Sequence, residues 1–378
     1  MNEAETMNEA GTMKAGTMKA AVWHAAGDVR VEDVPRPNTH DLNPDDVVVQ
    51  VDLACICASD LAEYRDGPHV IPVDRPHRLT GKKAPVTLGH EFVGRVTGMG
   101  AAVGAQSVGG LSIGDRVCGD ACLRCGTCFW CQRGEYNICE SGGSIGLHAD
   151  GAFAEYLKVP AYTLYRVPDA VDDRSAAIVE PLAVGFHALE RGRFTAGETV
   201  AVVGFGMVGA AVTLIASAIG AARVVVVESS EARAEAARKA GATDVLAPGK
   251  ELRGALRALT DGRGADIVCD CTGLAAVLPS SVELSRRGGR VVICGIAHEP
   301  SAVRADRIVY FEREVIGSLG YRRTHAAVLR LLETGRLDVG WLFAKPIELG
   351  QVVSQGLDVM GSPGNASWLR IPVVITGA

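Results

Sequence analysis

The sequence predicts an α/β protein of two domains, a β-rich barrel domain followed by a doubly wound parallel sheet. Its 378 residues are about two and a half times a typical domain of roughly 150 residues. The second half alternates short apolar runs with helical stretches, which is the pattern of a parallel sheet covered by helices. The segment before Glu180 instead contains short β-like runs separated by glycines and turn signals.

Composition and charge are those of an ordinary globular protein. Hydrophobic residues make up 48% of the chain and charged residues 22%, which excludes a disordered or collagen-like chain as a whole. The net charge is −6, and no run of five or more Lys or Arg residues occurs. We therefore expect neither nucleic acid nor a membrane among its partners.

The first residues are repetitive. MNEAET, MNEAGT and MKAGT precede MKAAVW, and low-complexity repeats of this kind bury no core. We interpret residues 1–17 as a disordered leader or a mis-assigned start, with Met18 beginning the first domain. The same residues lack the apolar core of a secretory signal, so we expect a cytoplasmic protein.

Cysteines are concentrated in one short segment. Six of the eleven lie between positions 118 and 139, and four of them have the spacing C-x2-C-x2-C-x7-C. Four thiolates surround one Zn²⁺ ion tetrahedrally and leave no open position, which makes a structural site. This chain is too large for a disulfide framework, so we predict structural zinc. The predicted ligands are Cys125, Cys128, Cys131 and Cys139.

A second set of metal-binding residue types is spread over three motifs. Cys57 follows the apolar strand 47–55, and Glu180 lies in VEPL. His90 and Glu91 are adjacent in GHEFVG. A thiolate, an imidazole and a carboxylate suit a catalytic zinc that keeps one position open for water or substrate. Each motif alone is a weak signal, but their occurrence together with the cysteine cluster predicts a catalytic metal site.

A glycine-rich loop joins a buried strand to a helix. The run 199–203 precedes GFGMVG at 204–209, and a helix of small residues follows at 210–220. In this context G-x-G-x-x-G permits a tight turn, approach of a pyrophosphate and close helix packing. These glycines also argue against a membrane span over the uncharged stretch 199–222. The predicted cofactor-binding residues of the loop are Gly204, Gly206, Met207, Val208 and Gly209.

An acidic residue ends the next predicted strand. Glu228 follows the loop by nineteen residues, where a carboxylate accepts hydrogen bonds from ribose hydroxyls and repels a 2′-phosphate. NAD(H) is therefore predicted over NADP(H). Arg233 either reaches the adenosine ribose or phosphates, or lies on a solvated helix face. Thr272, Gly295 and Ile296 follow later strands and are predicted to face the cofactor, since ligands bind at that end of a parallel sheet.

Together these motifs resemble the zinc-dependent medium-chain dehydrogenase/reductase superfamily of alcohol dehydrogenases. The resemblance covers residues 18–378 and rests on MKAAVWHAAGDVRVEDVP, CASD, GHEFVGRVTGMGAAV, GDRV, the four cysteines, VEPLAVGFHAL and GFGMVG. It implies a GroES-like β-barrel catalytic domain over 18–180, a Rossmann domain over 181–320 and a C-terminal return to the catalytic domain over 321–378. It also implies NAD(P)-linked interconversion of a small alcohol and a ketone in a homodimer or homotetramer.

Within that superfamily, three features resemble the (R,R)-butanediol dehydrogenases. They are EYRDGP at 63–68, TGKKAPVTLGHE at 80–91 and an extra loop at 69–78. We therefore expect 2,3-butanediol and acetoin as the substrate pair. Sorbitol and threonine dehydrogenases are also similar, so a polyol, an amino-alcohol or an aminocyclitol stays an alternative. A non-catalytic NAD-binding zinc protein is a more remote one.

The resemblance also implies roles for the site residues. The implied ligands of the catalytic zinc are Cys57, His90 and Glu180, with Glu91 as a fourth or exchanging ligand or a neighbour of the ligands. Ser59 would take the hydroxyl proton of the substrate and pass it on through the nicotinamide ribose. The zinc-bound alkoxide would then give hydride to NAD⁺. Asp60 would orient one of the ligands.

Two positions depart from the superfamily motif C-G-S-D-x-H. Ala62 stands where a histidine often ends the proton relay, and Ala58 replaces a glycine. The first change removes the usual end of the relay, and the second narrows the pocket beside the metal. We therefore expect either another substrate or a proton that leaves by water.

Overall fold

The computed structural model describes residues 16–39, 41–104, 110–360 and 369–376, which divide into two compact units. The first unit holds the described residues up to Glu180, together with 344–360 and 370–376. The second unit holds 181–343 and Leu369. Of the predicted leader, residues 1–15 lie outside the described part of the chain, as do residues 361–368 of the predicted C-terminal return.

Eighteen strands and ten α-helices form in these residues. The strands are β1 (Thr17–Ala25), β2 (Asp28–Pro35), β3 (Asp46–Cys55), β4 (Val86–Thr87), β5 (Glu91–Met99), β6 (Arg116–Gly119), β7 (Cys122–Leu123), β8 (Gly143–Ser144), β9 (Tyr156–Pro160), β10 (Leu164–Arg166), β11 (Thr199–Val203), β12 (Arg223–Val227), β13 (Asp244–Leu246), β14 (Ala265–Asp270), β15 (Ser285–Ile293), β16 (Glu314–Gly317), β17 (Ile347–Glu348) and β18 (Pro372–Val374). The helices are α1 (Ala58–Asp66), α2 (Phe129–Gln132), α3 (Asp173–Ala177), α4 (Val179–Arg191), α5 (Met207–Ala218), α6 (Glu231–Lys239), α7 (Leu252–Ala258), α8 (Leu278–Leu284), α9 (Ala305–Val309) and α10 (His325–Glu333).

The second unit is built on a six-stranded parallel sheet. Its strand order is β13-β12-β11-β14-β15-β16, and every neighbouring pair is parallel. The order reverses between β11 and β14, which is the switch point where ligands bind in doubly wound sheets. The valine-rich strands β11 and β12 are buried almost throughout, as expected for a sheet with both faces covered. The predicted doubly wound sheet is confirmed.

The first unit is rich in antiparallel strands, as predicted. One sheet has the order β10-β6-β5-β3-β18-β17, with β9 also pairing with β3. A second sheet has the order β2-β1-β4. The long strand β3 pairs with β5 along one edge, and with β9 and then β18 along the other. The chain therefore returns to this unit near its end and adds β18 beside β3.

The structure groups residues 321–343 with the second unit, whereas the sequence analysis assigns them to the C-terminal return. Hydrogen bonds to two helices of the second unit explain the difference. The Thr324 hydroxyl donates to the carbonyl oxygen of Ala183 in α4 at 3.1 Å. The Arg336 guanidinium donates to the carbonyl oxygen of Ala218, the last residue of α5. Among the described residues, no helix has the length and apolar character needed to cross a membrane.

A buried arginine ties strand β15 to the end of α4. The Arg290 guanidinium donates to the carbonyl oxygens of Gly192 at 2.7 Å and Arg193 at 2.9 Å, just beyond the helix. It also forms an ion pair with Glu198. Carbonyls at the C-terminal end of a helix carry partial negative charge, so a cation is favoured there. One side chain thus satisfies three acceptors in the second unit.

Replacement of this arginine is expected to destabilise the protein. Arg290→Met keeps the apolar stem but leaves a partly buried carboxylate and two carbonyls without a donor. We expect the free energy of unfolding to fall by about 3 kcal/mol, measured by urea unfolding of the zinc-loaded chain. Arg290→Lys is the matched control and should lose less, because an ammonium keeps the charge. An unchanged unfolding midpoint for Arg290→Met would contradict this role.

Candidate active site

The four predicted zinc ligands of the first unit gather around the short helix α2. The Sγ atom of Cys139 lies 3.5 Å from that of Cys125 and 3.9 Å from that of Cys128, and the Cys125 and Cys131 sulfurs are 4.0 Å apart. All four sulfurs lie within 4.8 Å of one another. Tetrahedral zinc with Zn–S bonds of about 2.3 Å would separate its ligand sulfurs by roughly 3.8 Å. The cluster therefore fits a zinc ion.

Backbone N–H groups donate to two of these sulfurs, and at Cys125 they favour the thiolate, the form that binds metal. The backbone N–H of Cys128 donates to the Cys125 sulfur at 3.3 Å, and that of Cys125 donates to the Cys139 sulfur at 3.4 Å. Hydrogen bonds from the backbone of Thr127 and Cys128 lower the pKa of the Cys125 thiol to about 6.

Strand pairing assembles the second cluster. Cys57 follows the end of β3, and His90 immediately precedes β5. These strands pair antiparallel with Cys55 opposite Glu91, which brings the two motifs together. One ligand atom from each of Cys57, His90 and Glu91 lies within 4.8 Å of the others.

The buried carboxylate of Asp60 lies beside two residues of this cluster and its flanking backbone. Its Oδ2 atom accepts the backbone N–H of Cys57 at 2.9 Å, so Asp60 holds the N-terminus of α1. Its Oδ1 atom accepts the backbone N–H of Gly89 at 3.4 Å and lies 3.6 Å from Nδ1 of His90. A proton on Nδ1 leaves Nε2 as the metal-binding nitrogen, and Ser59 Oγ lies 3.4 Å from Nε2.

The electrostatics of the cluster favour a cation. Burial by itself lowers the pKa of His90, but Asp60, Cys57 and Glu180 together raise it well above its ordinary value. Burial raises the pKa of Asp60, while His90 and the backbone N–H of Cys57 oppose that rise. The negative potential is thus concentrated at the imidazole, and the set of thiolate, imidazole and carboxylate donors fits zinc.

Arg370 is a site residue that the sequence analysis missed. It is buried and binds Glu91 through two hydrogen bonds, Nε to Oε2 at 2.7 Å and Nη2 to Oε1 at 2.7 Å. Its Nη2 atom also lies 3.9 Å from the Cys57 sulfur. Burial opposes the charge of Arg370, but Glu91 and Cys57 raise its pKa further. The backbone N–H of Ile56 donates to Ile371 at 3.1 Å and so places Arg370 at the cluster.

Glu180, a predicted ligand of the catalytic zinc, lies outside the close group that contains Glu91. It lies in the first turn of α4 and is partly exposed. It contributes to the negative potential at His90, but none of its atoms belongs to the 4.8 Å group formed by described residues. The structure thus brings together Cys57, Ser59, Asp60, His90 and Glu91, and leaves Glu180 outside this close group.

In the second unit, the three glycines of the predicted loop differ in their surroundings. Gly204 has a φ of +88°, a conformation that side chains rarely adopt. A Cβ atom on Gly209 would collide with the carbonyl oxygen of Gly204, so that residue allows close packing. Gly206 has open space where a Cβ would point, and α5 begins directly after it at Met207. The loop thus leaves room in front of a helix N-terminus, as a pyrophosphate requires.

The other predicted cofactor residues lie around the same sheet. Glu228 accepts the backbone N–H groups of Phe205 at 2.9 Å, Ser229 at 2.8 Å and Ser230 at 2.9 Å, and so joins the glycine loop to the start of α6. The Nε atom of Arg233 is buried and has no hydrogen-bond partner among the described residues. Val208 is partly buried in the first turn of α5.

Two short loops follow β14 and β15 at the same end of the sheet. The Thr272 hydroxyl donates to Asp270 at 2.7 Å, which fixes the first loop. A Cβ atom on Gly295 would collide with the backbone nitrogen of Gly273, so the two loops pack closely. Ile296 is 69% exposed beside them.

Two family models match the chain. Residues 43–169 match the alcohol dehydrogenase GroES-like domain, and residues 207–334 match the zinc-binding dehydrogenase domain.

The chain is similar over nearly its whole length to characterised relatives. It is 35% identical to the (R,R)-butanediol dehydrogenase of Bacillus subtilis (strain 168) over 342 residues, which cover 90% of this chain and 95% of the relative. It is 32% identical to the sorbitol dehydrogenase of the same organism, with 88% and 90% of the two chains covered.

Solved structures show the same likeness. The crystal structure of 2R,3R-butanediol dehydrogenase from Bacillus subtilis matches with a TM-score of 0.87 and 34% identity, over 95% of this chain and 100% of that one. A protein from Sinorhizobium meliloti 1021, described as a zinc-binding dehydrogenase bound to NADP, matches with a TM-score of 0.83 and 30% identity, over 95% and 99% of the chains.

The two glutamates near His90 are expected to respond differently to loss of charge. Glu91→Gln leaves Arg370 buried without its partner, which should lower the free energy of unfolding of the chelator-treated chain by about 3 kcal/mol. Glu180→Gln should leave that value nearly unchanged but lower the zinc retained after dialysis, because it removes a charge that acts on the site. Urea unfolding and inductively coupled plasma mass spectrometry measure the two effects. Zinc loss in Glu91→Gln at unchanged stability would instead identify Glu91 as a ligand.

Proposed function

Because the chain belongs to the zinc-dependent alcohol dehydrogenases of the medium-chain superfamily, we propose that it interconverts 2,3-butanediol and acetoin. Membership makes it an oxidoreductase that acts on a small alcohol with zinc and a nicotinamide cofactor. The observation that carries the proposal is the close group of Cys57, His90 and Glu91 with Ser59 beside it.

We propose two zinc ions for each chain. The residues that would hold the catalytic ion are Cys57, His90 and Glu180, with Glu91 paired to Arg370 next to them. A zinc ion there supplies a Lewis acid, which lowers the pKa of a bound hydroxyl toward neutrality. The residues that would hold the structural ion are Cys125, Cys128, Cys131 and Cys139, whose sulfur spacing matches tetrahedral coordination.

The residues of the chain then handle the proton. Ser59 presents its Oγ atom 3.4 Å from Nε2 of His90 and takes the hydroxyl proton there. Asp60 keeps the imidazole in its orientation through Nδ1. Ala62 offers no ionisable group in α1, so we propose that the proton leaves Ser59 toward solvent by way of water.

The loop at 69–78 supports a vicinal diol as the substrate. The Glu63 carboxylate accepts backbone N–H groups from three residues at the start of this loop, His69 at 2.9 Å, Val70 at 2.7 Å and Ile71 at 3.3 Å. The loop is thus fixed, and its flanking sequence resembles that of butanediol dehydrogenases. The sorbitol dehydrogenase relative makes a polyol the second candidate.

The proposed nicotinamide cofactor is NAD(H), whose oxidised form, NAD⁺, accepts a hydride when bound. The carboxylate of Glu228 lies at the end of β12 and would repel a 2′-phosphate. The partly buried guanidinium of Arg233 would attract that phosphate. A structural relative was solved with NADP. We therefore assign the choice between NAD(H) and NADP(H) in this chain to Glu228 and Arg233.

A homodimer or homotetramer is the proposed assembly. Strand β16 lies at the edge of the parallel sheet, and large apolar side chains near it are exposed. Val309 is 72% exposed and Tyr310 77%. An edge strand with exposed apolar neighbours can pair with a second copy of the chain.

The proposed location is the cytoplasm, where the metal-binding thiols stay reduced.

The substrate proposal predicts stereoselective oxidation of one butanediol. The zinc-loaded protein is mixed with NAD⁺ and with (R,R)-, meso- or (S,S)-2,3-butanediol, and NADH formation is followed at 340 nm. We expect a higher kcat/KM for one butanediol isomer than for sorbitol, threonine or a simple secondary alcohol, because the loop resembles that of butanediol dehydrogenases. Turnover of sorbitol alone would overturn 2,3-butanediol as the substrate but leave the zinc-dependent oxidation of an alcohol in place. Absence of any turnover with NAD⁺ still bound would overturn the enzymatic proposal.

The cofactor proposal predicts a shift of preference in a charge variant. Glu228→Gln removes the negative charge and keeps one acceptor oxygen for the backbone donors of Ser229 and Ser230, while its amide nitrogen no longer accepts from Phe205. We expect the ratio of kcat/KM for NADP⁺ to that for NAD⁺ to rise roughly tenfold, since a like-charge repulsion is removed. Glu231→Gln, at an exposed acid in the first turn of α6, is the matched control. An unchanged ratio in Glu228→Gln would contradict the role of its charge.

A further inference from the structure

Three thiols of the second unit lie on one face of the parallel sheet. Cys269 lies in β14, and Cys271 follows two positions later, on the same face because side chains alternate. Cys294 directly follows β15. In the parallel pairing of these strands, Cys269 is opposite Val292 and Asp270 is opposite Ile293. The register therefore places Cys271 beside Cys294.

The strands stay paired at this point, so the backbones of Cys271 and Cys294 have the separation that a disulfide requires. The backbone N–H of Cys294 donates to the carbonyl oxygen of Asp270 at 2.9 Å. Neighbouring strands lie about 4.8 Å apart, and disulfide-bonded residues have Cα separations of about 4.4–6.8 Å. Cys271 and Cys294 are partly exposed, whereas Cys269 is buried. The first two are therefore the less buried pair.

Polar neighbours favour a thiolate at Cys294. Interaction with the neighbouring thiols of Cys269 and Cys271 lowers the pKa of Cys294 well below its ordinary value, although burial and Asp270 oppose this. The same interactions raise the pKa values of Cys269 and Cys271, and the Cys271 sulfur lies 3.8 Å from the carbonyl oxygen of Cys269. The Cys294 sulfur itself lies 3.8 Å from the carbonyl oxygen of Val292. His187 of α4 adds a favourable charge interaction with Cys294. Both of its ring nitrogens are buried and have no hydrogen-bond partner among the described residues.

We propose that Cys271 and Cys294 are a redox-active pair that hydrogen peroxide converts into an intramolecular disulfide. The Cys294 thiolate attacks one peroxide oxygen, the O–O bond breaks, and the departing hydroxide takes a proton to become water. The Cys271 sulfur then attacks the resulting sulfenic acid, forms the S–S bond and displaces a second hydroxide, which becomes water with the thiol proton. In total, two thiols are oxidised to one disulfide and one peroxide is reduced to two waters.

The disulfide would act on the two loops that follow these strands. Thr272 and Gly273 come directly after Cys271, and Gly295 and Ile296 come directly after Cys294. A covalent link at the base of both loops would fix their separation and weaken dinucleotide binding. This consequence rests on the proposed NAD-linked function, whereas formation of the disulfide does not.

Peptide mapping tests the disulfide directly. The full zinc-loaded chain is treated with hydrogen peroxide, its free thiols are alkylated, and it is digested with trypsin without reductant. Cleavage after Arg263, Arg286, Arg290 and Arg304 places Cys269 and Cys271 in peptide 264–286 and Cys294 in peptide 291–304. We expect these two peptides to be linked, and the link to disappear with dithiothreitol. Cleavage before Asp270 then separates Cys269 from Cys271 and identifies the partner.

Serine variants supply the matched controls. Cys271→Ser should abolish the link, and Cys269→Ser should keep it. Zinc content is measured in every sample, because peroxide also oxidises metal-binding thiols. A link to Cys269, or no link while Cys294 is oxidised, would overturn the proposal. So would a metal ion beyond the two zinc ions that disappears in Cys294→Ser, since the thiols would then be its ligands.

Titration of NADH fluorescence tests the consequence separately from alcohol turnover. Each variant is compared with its own untreated form. We expect the Kd for NADH to rise at least about fivefold on oxidation of the unaltered chain, to recover with reductant, and to stay constant in Cys271→Ser. A mapped disulfide with an unchanged Kd would overturn the effect on binding. Failure of every alcohol in the substrate panel would leave both readouts intact, so the two proposals fail independently.

Discussion

The pairing of β3 with β5 and β18 is the constraint on which the metal site depends. Register with β5 brings His90 and Glu91 to the end of β3, and pairing with β18 brings Arg370 to the same point. Side chains alternate between the faces of a strand, so a slip of one residue would turn them away from one another. Two irregularities in the β3–β5 register are therefore part of the site's geometry.

The strand pairing that assembles the metal site also brings opposite charges together in the interior of the first unit. Several anionic groups converge there, and one of them, Glu91, is fully matched by the two-pronged hydrogen bonding of Arg370. This pairing offsets the cost of burying the Glu91 carboxylate, which would be large without a partner. The remaining negative potential acts on His90. The site is thus built to accept a cation while one of its acids is already neutralised.

Features whose residues are close together in the sequence were predictable. Contacts between residues far apart in the sequence were not. The four cysteines and the glycine loop are each contained in a short segment, and the alternation of the second unit follows from hydrophobic runs. Helix α1 escaped prediction because its buried residues are Asp60 and Glu63, which give no hydrophobic period. Arg370 lies 279 residues from Glu91, and no pattern in the sequence relates them. Strand register, which also aligns Cys271 with Cys294, is visible only in the fold.

The discontinuity of the first unit has a consequence for the order in which the protein matures. The four-cysteine loop is contiguous, so its ligands leave the ribosome together. Strand β18 and Arg370 are synthesised 279 residues after Glu91, a delay of roughly 15 to 60 s at ordinary rates of translation. During that interval the carboxylate lacks its counter-charge and β3 lacks one neighbour. For the two proposed zinc ions, this order completes the four-cysteine ligand set first and the cluster around His90 only after Arg370 has been synthesised.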